Sequence, residues 1–101
     1  MVISERQIQK VRSGKWPELE ELDKKFTAVE RQLGFPAKKR SRSLVGGLTS
    51  DMLIIERQWK SFAALESVYE KALANPEHQA LSQDAEQILE SQQIEFYLPL
   101  P

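Results

Sequence analysis

Residues 52–55, Met-Leu-Ile-Ile, are four consecutive apolar positions in a chain of 101 residues. A half-solvated strand alternates apolar and polar side chains, so an unbroken run predicts a central strand covered on both faces. The chain has little material for that cover. With 41% hydrophobic and 29% charged residues it can close one modest core and has nothing for a second domain. The second face of this strand therefore needs a second copy of the chain, and the polar residues Gln7, Gln9, Glu56, Arg57 and Gln58 of the central strands must pair across strands, pair across the dimer or line a cavity.

The rest of the sequence supplies the partners of this strand. Ile3, Ile8 and Val11 among polar residues suggest a strand between Val2 and Arg12, ended by Gly14. Trp16-Pro17 opens a helix, since proline at the first helical position gives up only an amide that has no partner. Glu18, Glu20, Glu21 and Asp23 complement the positive end of its dipole, and Leu19, Leu22, Phe26, Val29 and Leu33 form one apolar stripe. Gly34 and Pro36 stop it. Lys38 to Gly47 reads as a partly exposed strand, Gly46 to Asp51 as a hairpin turn, and the strand that follows runs to Trp59. Ser61 is a credible N-cap for a helix carrying Phe62, Leu65, Tyr69 and Ala72, interrupted at Asn75-Pro76. A further helix is expected from Glu77 to about Ser91, with Leu81, Ala85, Ile88 and Leu89 inward. Ile94, Phe96 and Leu98 then form a last strand, ended by Pro99 and Pro101. The order βαββαβ predicts a ferredoxin-like α+β domain spanning the chain, a four-stranded antiparallel sheet with helices on one face. Two such sheets packed face to face would form a closed, barrel-like dimer.

Composition removes several kinds of chemistry. Without cysteine there is no disulfide scaffold, thiolate zinc site or cysteine nucleophile, and one histidine, His78, cannot build a multi-histidine metal site within a chain. No metal or tightly held cofactor is expected. No apolar run is long enough to span a membrane, and the first residues lack a secretory pattern, so a cytoplasmic protein is expected. The net charge of −1 divides into eleven Lys/Arg against six Asp/Glu over residues 1–50 and three against nine over 51–101. The halves thus carry +5 and −6. The basic run Lys38-Lys39-Arg40-Ser41-Arg42 could contact nucleic acid, but no aromatic residue is interleaved to stack on bases. Opposite charges that face each other within the domain or across a dimer are the favoured reading.

The apolar strand leading into Glu56-Arg57-Gln58-Trp59-Lys60-Ser61-Phe62, the helix with Tyr69, and Ala72-Leu73-Ala74-Asn75-Pro76-Glu77-His78 together resemble NIPSNAP-like proteins. These belong to the dimeric α+β barrel superfamily, with stress-responsive barrel proteins and antibiotic-biosynthesis monooxygenases. The resemblance implies a homodimer through the sheet face and a pocket between sheet and helices. It implies no single reaction.

The candidate site residues follow from chemistry. Trp59 could wall a pocket for an aromatic ligand, as could Trp16, although both are placed where core aromatics occur. Tyr69 offers a phenol, and His78 is the only side chain whose ordinary pKa lies near neutrality. These two are the candidate catalytic groups. Arg57 and Glu56 could hold a polar ligand, or could pair with other protein groups as buried charges normally do. The Glu-Arg-Gln triplet at 5–7, 30–32 and 56–58 has dissimilar surroundings and is not read as a repeat. Three functions are compatible with this pattern: binding of a small apolar or aromatic molecule, with cofactor-independent oxygenation as its catalytic form; a non-catalytic interaction dimer; and nucleic-acid binding through residues 38–42.

Overall fold

The computed structural model describes residues 1–45 and 51–101. The elements are β1 (Ile3–Val11), α1 (Trp16–Leu33), β2 (Lys39–Arg42), β3 (Met52–Trp59), α2 (Phe62–Ala74), α3 (Pro76–Glu86) and β4 (Leu89–Tyr97). All strand pairs are antiparallel and the order in the sheet is β2-β3-β1-β4, with β1 and β3 central. This is the ferredoxin-like arrangement, and within one chain the sheet is open. The turn expected over residues 46–50 lies outside the described residues.

The local signals act as the residues require. Gly34 takes the left-handed conformation (φ 93°), and the amides of Gly34 and Phe35 donate back to the Arg31 and Glu30 carbonyls to close α1. Ser61 Oγ accepts from the Ala64 amide, and Asn75 Oδ1 from the His78 amide, so each helix after a break is capped by its own side chain. Among the described residues no helix is long and apolar enough to cross a membrane.

Two boundaries and one inward-facing assignment differ from the sequence pattern. β2 ends at Arg42, and Leu44 and Val45 are exposed beyond it. α3 ends at Glu86, because the amides of Gln87 and Ile88 turn back to the Asp84 and Ala85 carbonyls. The Ile88 carbonyl then accepts from Arg12, and Leu89 pairs with Val11. Ile88 and Leu89 are buried as expected, but β-pairing with β1 overrides the helical spacing that had extended the helix to Ser91. Phe62, assigned to the inner stripe of α2, is 57% exposed.

Strand parity divides the apolar run. Leu53 and Ile55 face the helices and join Val11, Leu19, Leu22, Val29, Leu81, Ile88 and Leu89 in the core, whereas Ile54 lies on the opposite face, beside Ile8. That opposite face is mostly polar. Lys39, Glu56, Arg6 and Glu95 stand side by side across all four strands, an alternating row of charge in which each neighbour has the opposite sign. The apolar sheet face inferred from Met52-Leu53-Ile54-Ile55 thus shrinks to a small patch of Ile8, Ile54 and Met52, because half of the run belongs to the core.

Candidate functional site

The helix-facing side of β1 reads Ile3, Glu5, Gln7, Gln9, Val11: apolar at both ends and polar in the middle. Glu5 is 1% exposed and lies opposite Arg57 in the β1–β3 register. A carboxylate there is tolerable only if it is paired and hydrogen-bonded, and four donors converge on it. Trp59 Nε1–H and the Tyr69 hydroxyl each donate to Oε1 at 2.9 Å, while Arg57 Nη1 (3.1 Å) and Gln7 Nε2 (2.8 Å) donate to Oε2.

From Glu5 a line of alternating charge runs outward. Arg57 Nη2 is 2.8 Å from Glu30, whose other oxygen meets Lys38 Nζ at 3.0 Å. Lys38 also contacts Asp23 (2.7 Å), Arg40 reaches Asp23 (3.2 Å), and Arg40 closes the line with a two-pronged bond to Glu20. The Arg40 bond holds the Glu20 carboxyl below the usual carboxylate range. Lys38 and Arg40 are therefore structural cations that tie β2 and its approach to α1, and Arg42 lies 4.1 Å over the Trp16 ring.

Above this line, between sheet and helices, lies a cavity of about 150 Å³. Leu19, Leu22, Phe26, Ile55 and Leu89 form its apolar walls, and Gln7, Gln9, Tyr69, His78, Ser82 and Gln92 contribute its uncharged polar groups. Asp23, Glu30, Lys38 and Arg57 also border it, two of each sign. Phe35, just beyond the α1 cap, organises the aromatic side. It packs edge-on to Trp59 and Tyr69, lies under the Arg57 guanidinium (4.9 Å) and stacks parallel to His78 at a centroid distance of 6.2 Å. Among the described residues no group of three or more His, Asp or Glu side chains converges as a metal site would require.

The structure separates the residues singled out from the sequence. Tyr69, His78 and Arg57 border the cavity, and Arg57 is committed to Glu5 and Glu30. Trp59 is 2% exposed and lies behind Glu5, outside the cavity lining, and Trp16 borders a separate shallow groove beside Arg40 and Arg42. Glu56 is exposed on the opposite face, in the alternating row between Lys39 and Arg6. Glu5, Glu30 and Lys38 were not recognised as members of one network. Strict alternation from Ile3 to Val11 was the available signal, since it places Glu5 on the buried side, but Ile8 on the other face obscured it.

Burial raises the Tyr69 phenol, reinforced by the negative charge of Glu5, so it remains a donor to that carboxylate across the physiological range. Burial lowers the pKa of His78 below 6.5, opposed by Glu30 and aided by Arg57. A histidine depressed in the folded state stabilises the fold fully above its unfolded pKa and loses that contribution as pH falls through the folded value. The His78 Cε1–H resonance should therefore titrate with a midpoint below 6.5. The unfolding midpoint should decline between pH 6.5 and that value in the native chain and not in His78→Gln; a midpoint above 6.5 would contradict this environment.

Strand order and helix placement define a ferredoxin-like α+β protein, and the solved structures it superposes on narrow the class to the NIPSNAP-like fold. A NIPSNAP family protein from Agrobacterium tumefaciens matches 98% of this chain and 86% of its own at TM-score 0.81 and 21% identity. A NIPSNAP domain protein from Burkholderia xenovorans matches 99% and 95% at TM-score 0.81 and 19% identity. A Mycobacterium tuberculosis protein matches 100% and 97% at TM-score 0.72 and 14% identity. No family model and no curated protein matches the sequence. The likeness at these identities is one of fold.

Proposed function

We propose that the chain is a homodimer that binds a small, largely apolar or aromatic molecule in the cavity between sheet and helices, where Tyr69 and His78 meet it. The observation that carries this reading is a void of about 150 Å³ with mainly apolar walls beside a network in which Arg57 and Lys38 each meet two carboxylates. A cavity of this size is large enough for one six-membered ring. The dimer rests on the charge row of the uncovered face. A two-fold axis along the strands sets Lys39 against Glu95 of the partner subunit and Glu56 against Arg6 of the partner subunit, so every facing pair is attractive. The neutralisation of Lys38 and Arg40 within the fold favours this reading over nucleic-acid binding through residues 38–42.

Native mass spectrometry of the purified protein tests both parts. Twice the chain mass, with a small-molecule increment that is lost on collisional activation, is the expected spectrum, and Arg6→Glu, which faces like charge across the axis, should shift it to the monomer. A monomer at micromolar concentration, with no increment and no response to single-ring aromatics, would overturn the proposal and leave the buried network a purely structural feature.

A further inference from the structure

The buried carboxylate dictates which hydrogen-bonding atom the cavity offers its occupant. An ionised carboxylate only accepts, so Gln7 must turn its amide nitrogen toward Glu5, as it does at 2.8 Å. The Gln7 oxygen is then left for Gln9, whose nitrogen donates to it at 3.4 Å. The short contact fixes the Gln7 amide, and the longer one favours the same turn of Gln9. The remaining atom is Gln9 Oε1, an acceptor on a side chain that is only 9% exposed and borders the cavity, and among the described residues no donor reaches it. Unlike Arg57 Nε, this oxygen is not sealed off, so it faces space from which a molecule in the cavity can donate to it.

The charges bordering the same space have no comparable vacancy for an anion. Arg57 is shared between Glu5 and Glu30, and Lys38 between Glu30 and Asp23, so each bordering cation already meets two carboxylates. Arg57 Nε lacks a partner but is sealed from solvent-sized contacts. His78 presents an imidazole without a hydrogen-bonded partner among the described residues, held between Phe35 and Phe26 and, with its lowered pKa, neutral at pH 7.

We infer that the cavity is selective for an uncharged single-ring molecule bearing a hydroxyl or comparable donor, which Gln9 Oε1 accepts, and that it rejects the corresponding carboxylate. This rests on the ligand-binding reading above and names the ligand class for the same site. A phenol fits because it carries one donor on an otherwise apolar ring; a benzoate would bring a full negative charge to a space whose bordering cations are each already shared between two carboxylates and whose other donors, such as His78 and Ser82, are neutral.

Titration of the native protein with phenol, toluene and benzoate at pH 7, followed by amide chemical shifts of residues around the cavity, separates the possibilities. Phenol should bind about tenfold more tightly than toluene, the scale of one hydrogen bond, and benzoate should bind more weakly than either. In Gln9→Met the phenol-to-toluene ratio should fall to about one with toluene affinity retained. Equal binding of phenol and toluene to the native protein would overturn the donor requirement while leaving ligand binding intact. Benzoate binding more tightly than phenol would overturn the exclusion of anions. No binding by any of the three would remove the ligand-binding reading together with this one.

Discussion

Glu5→Leu is expected to destabilise the fold by about 3–5 kcal/mol, read as a lower urea midpoint at unchanged slope. The side chain being removed is fully buried, as are Arg57 and Trp59, while Tyr69 and Gln7 are half-buried beside the cavity. Without its carboxylate, Arg57 keeps only Glu30, and the indole N–H of Trp59, the Tyr69 hydroxyl and the Gln7 amide lose their shared acceptor, Trp59 at a position closed to water. The loss comes from stranding partners more than from any net strength of the ion pair, since a buried pair gains little over apolar residues once desolvation is counted. Two companions distinguish these terms. Glu5→Gln keeps the shape but substitutes an amide nitrogen for one oxygen, which sets donor against donor on one side; it should also be destabilising. Glu5→Leu combined with Arg57→Met should recover part of the loss, because the stranded cation is removed as well. A cost below about 1 kcal/mol for Glu5→Leu would show that the four donors have other acceptors.

The order of elements was legible because helix caps and stops are local chemistry. Gly34, Ser61 and Asn75-Pro76 act within a few residues of themselves, so their meaning survives without knowledge of the fold. The boundary at Leu89 was not legible for the opposite reason: an apolar residue at helical spacing is also correctly spaced for burial in a strand, and only pairing with Val11 decides between them. The apolar run at 52–55 misled in an instructive way. It marks a central strand, and β3 is central, but centrality comes from strand neighbours on both edges and does not require an apolar layer on both faces.

The polar network was legible only in pieces. Arg57, Tyr69 and Trp59 were each singled out as ligand contacts, whereas they meet on one carboxylate from the first strand, more than fifty positions away in the chain. Charge counting by halves predicted that a basic first half faces an acidic second half. The buried contact runs the other way: Arg57, one of the three cations of the acidic half, is enclosed by Glu5 and Glu30 of the basic half. Net charge describes the surface. The interior depends on single residues whose partners are set by strand register.

Trp59→Ala should cost about 3–5 kcal/mol, and Trp59→Phe about 1 kcal/mol, in the same urea measurement. The alanine variant leaves an unfilled space against Phe35 and Tyr69 in addition to removing a donor, whereas phenylalanine keeps most of the packing and removes only the N–H. The informative comparison adds Tyr69→Phe. Trp59 Nε1 and the Tyr69 hydroxyl bond the same oxygen of Glu5, so either one alone still satisfies it. Removing both leaves that oxygen without a donor inside the protein, and the double variant should be less stable than the sum of the two singles by about 1–2 kcal/mol. Additivity within error would mean that water reaches Glu5 once one donor is lost. The site would then be an extension of the neighbouring cavity, and Glu5 would be open to whatever that cavity binds.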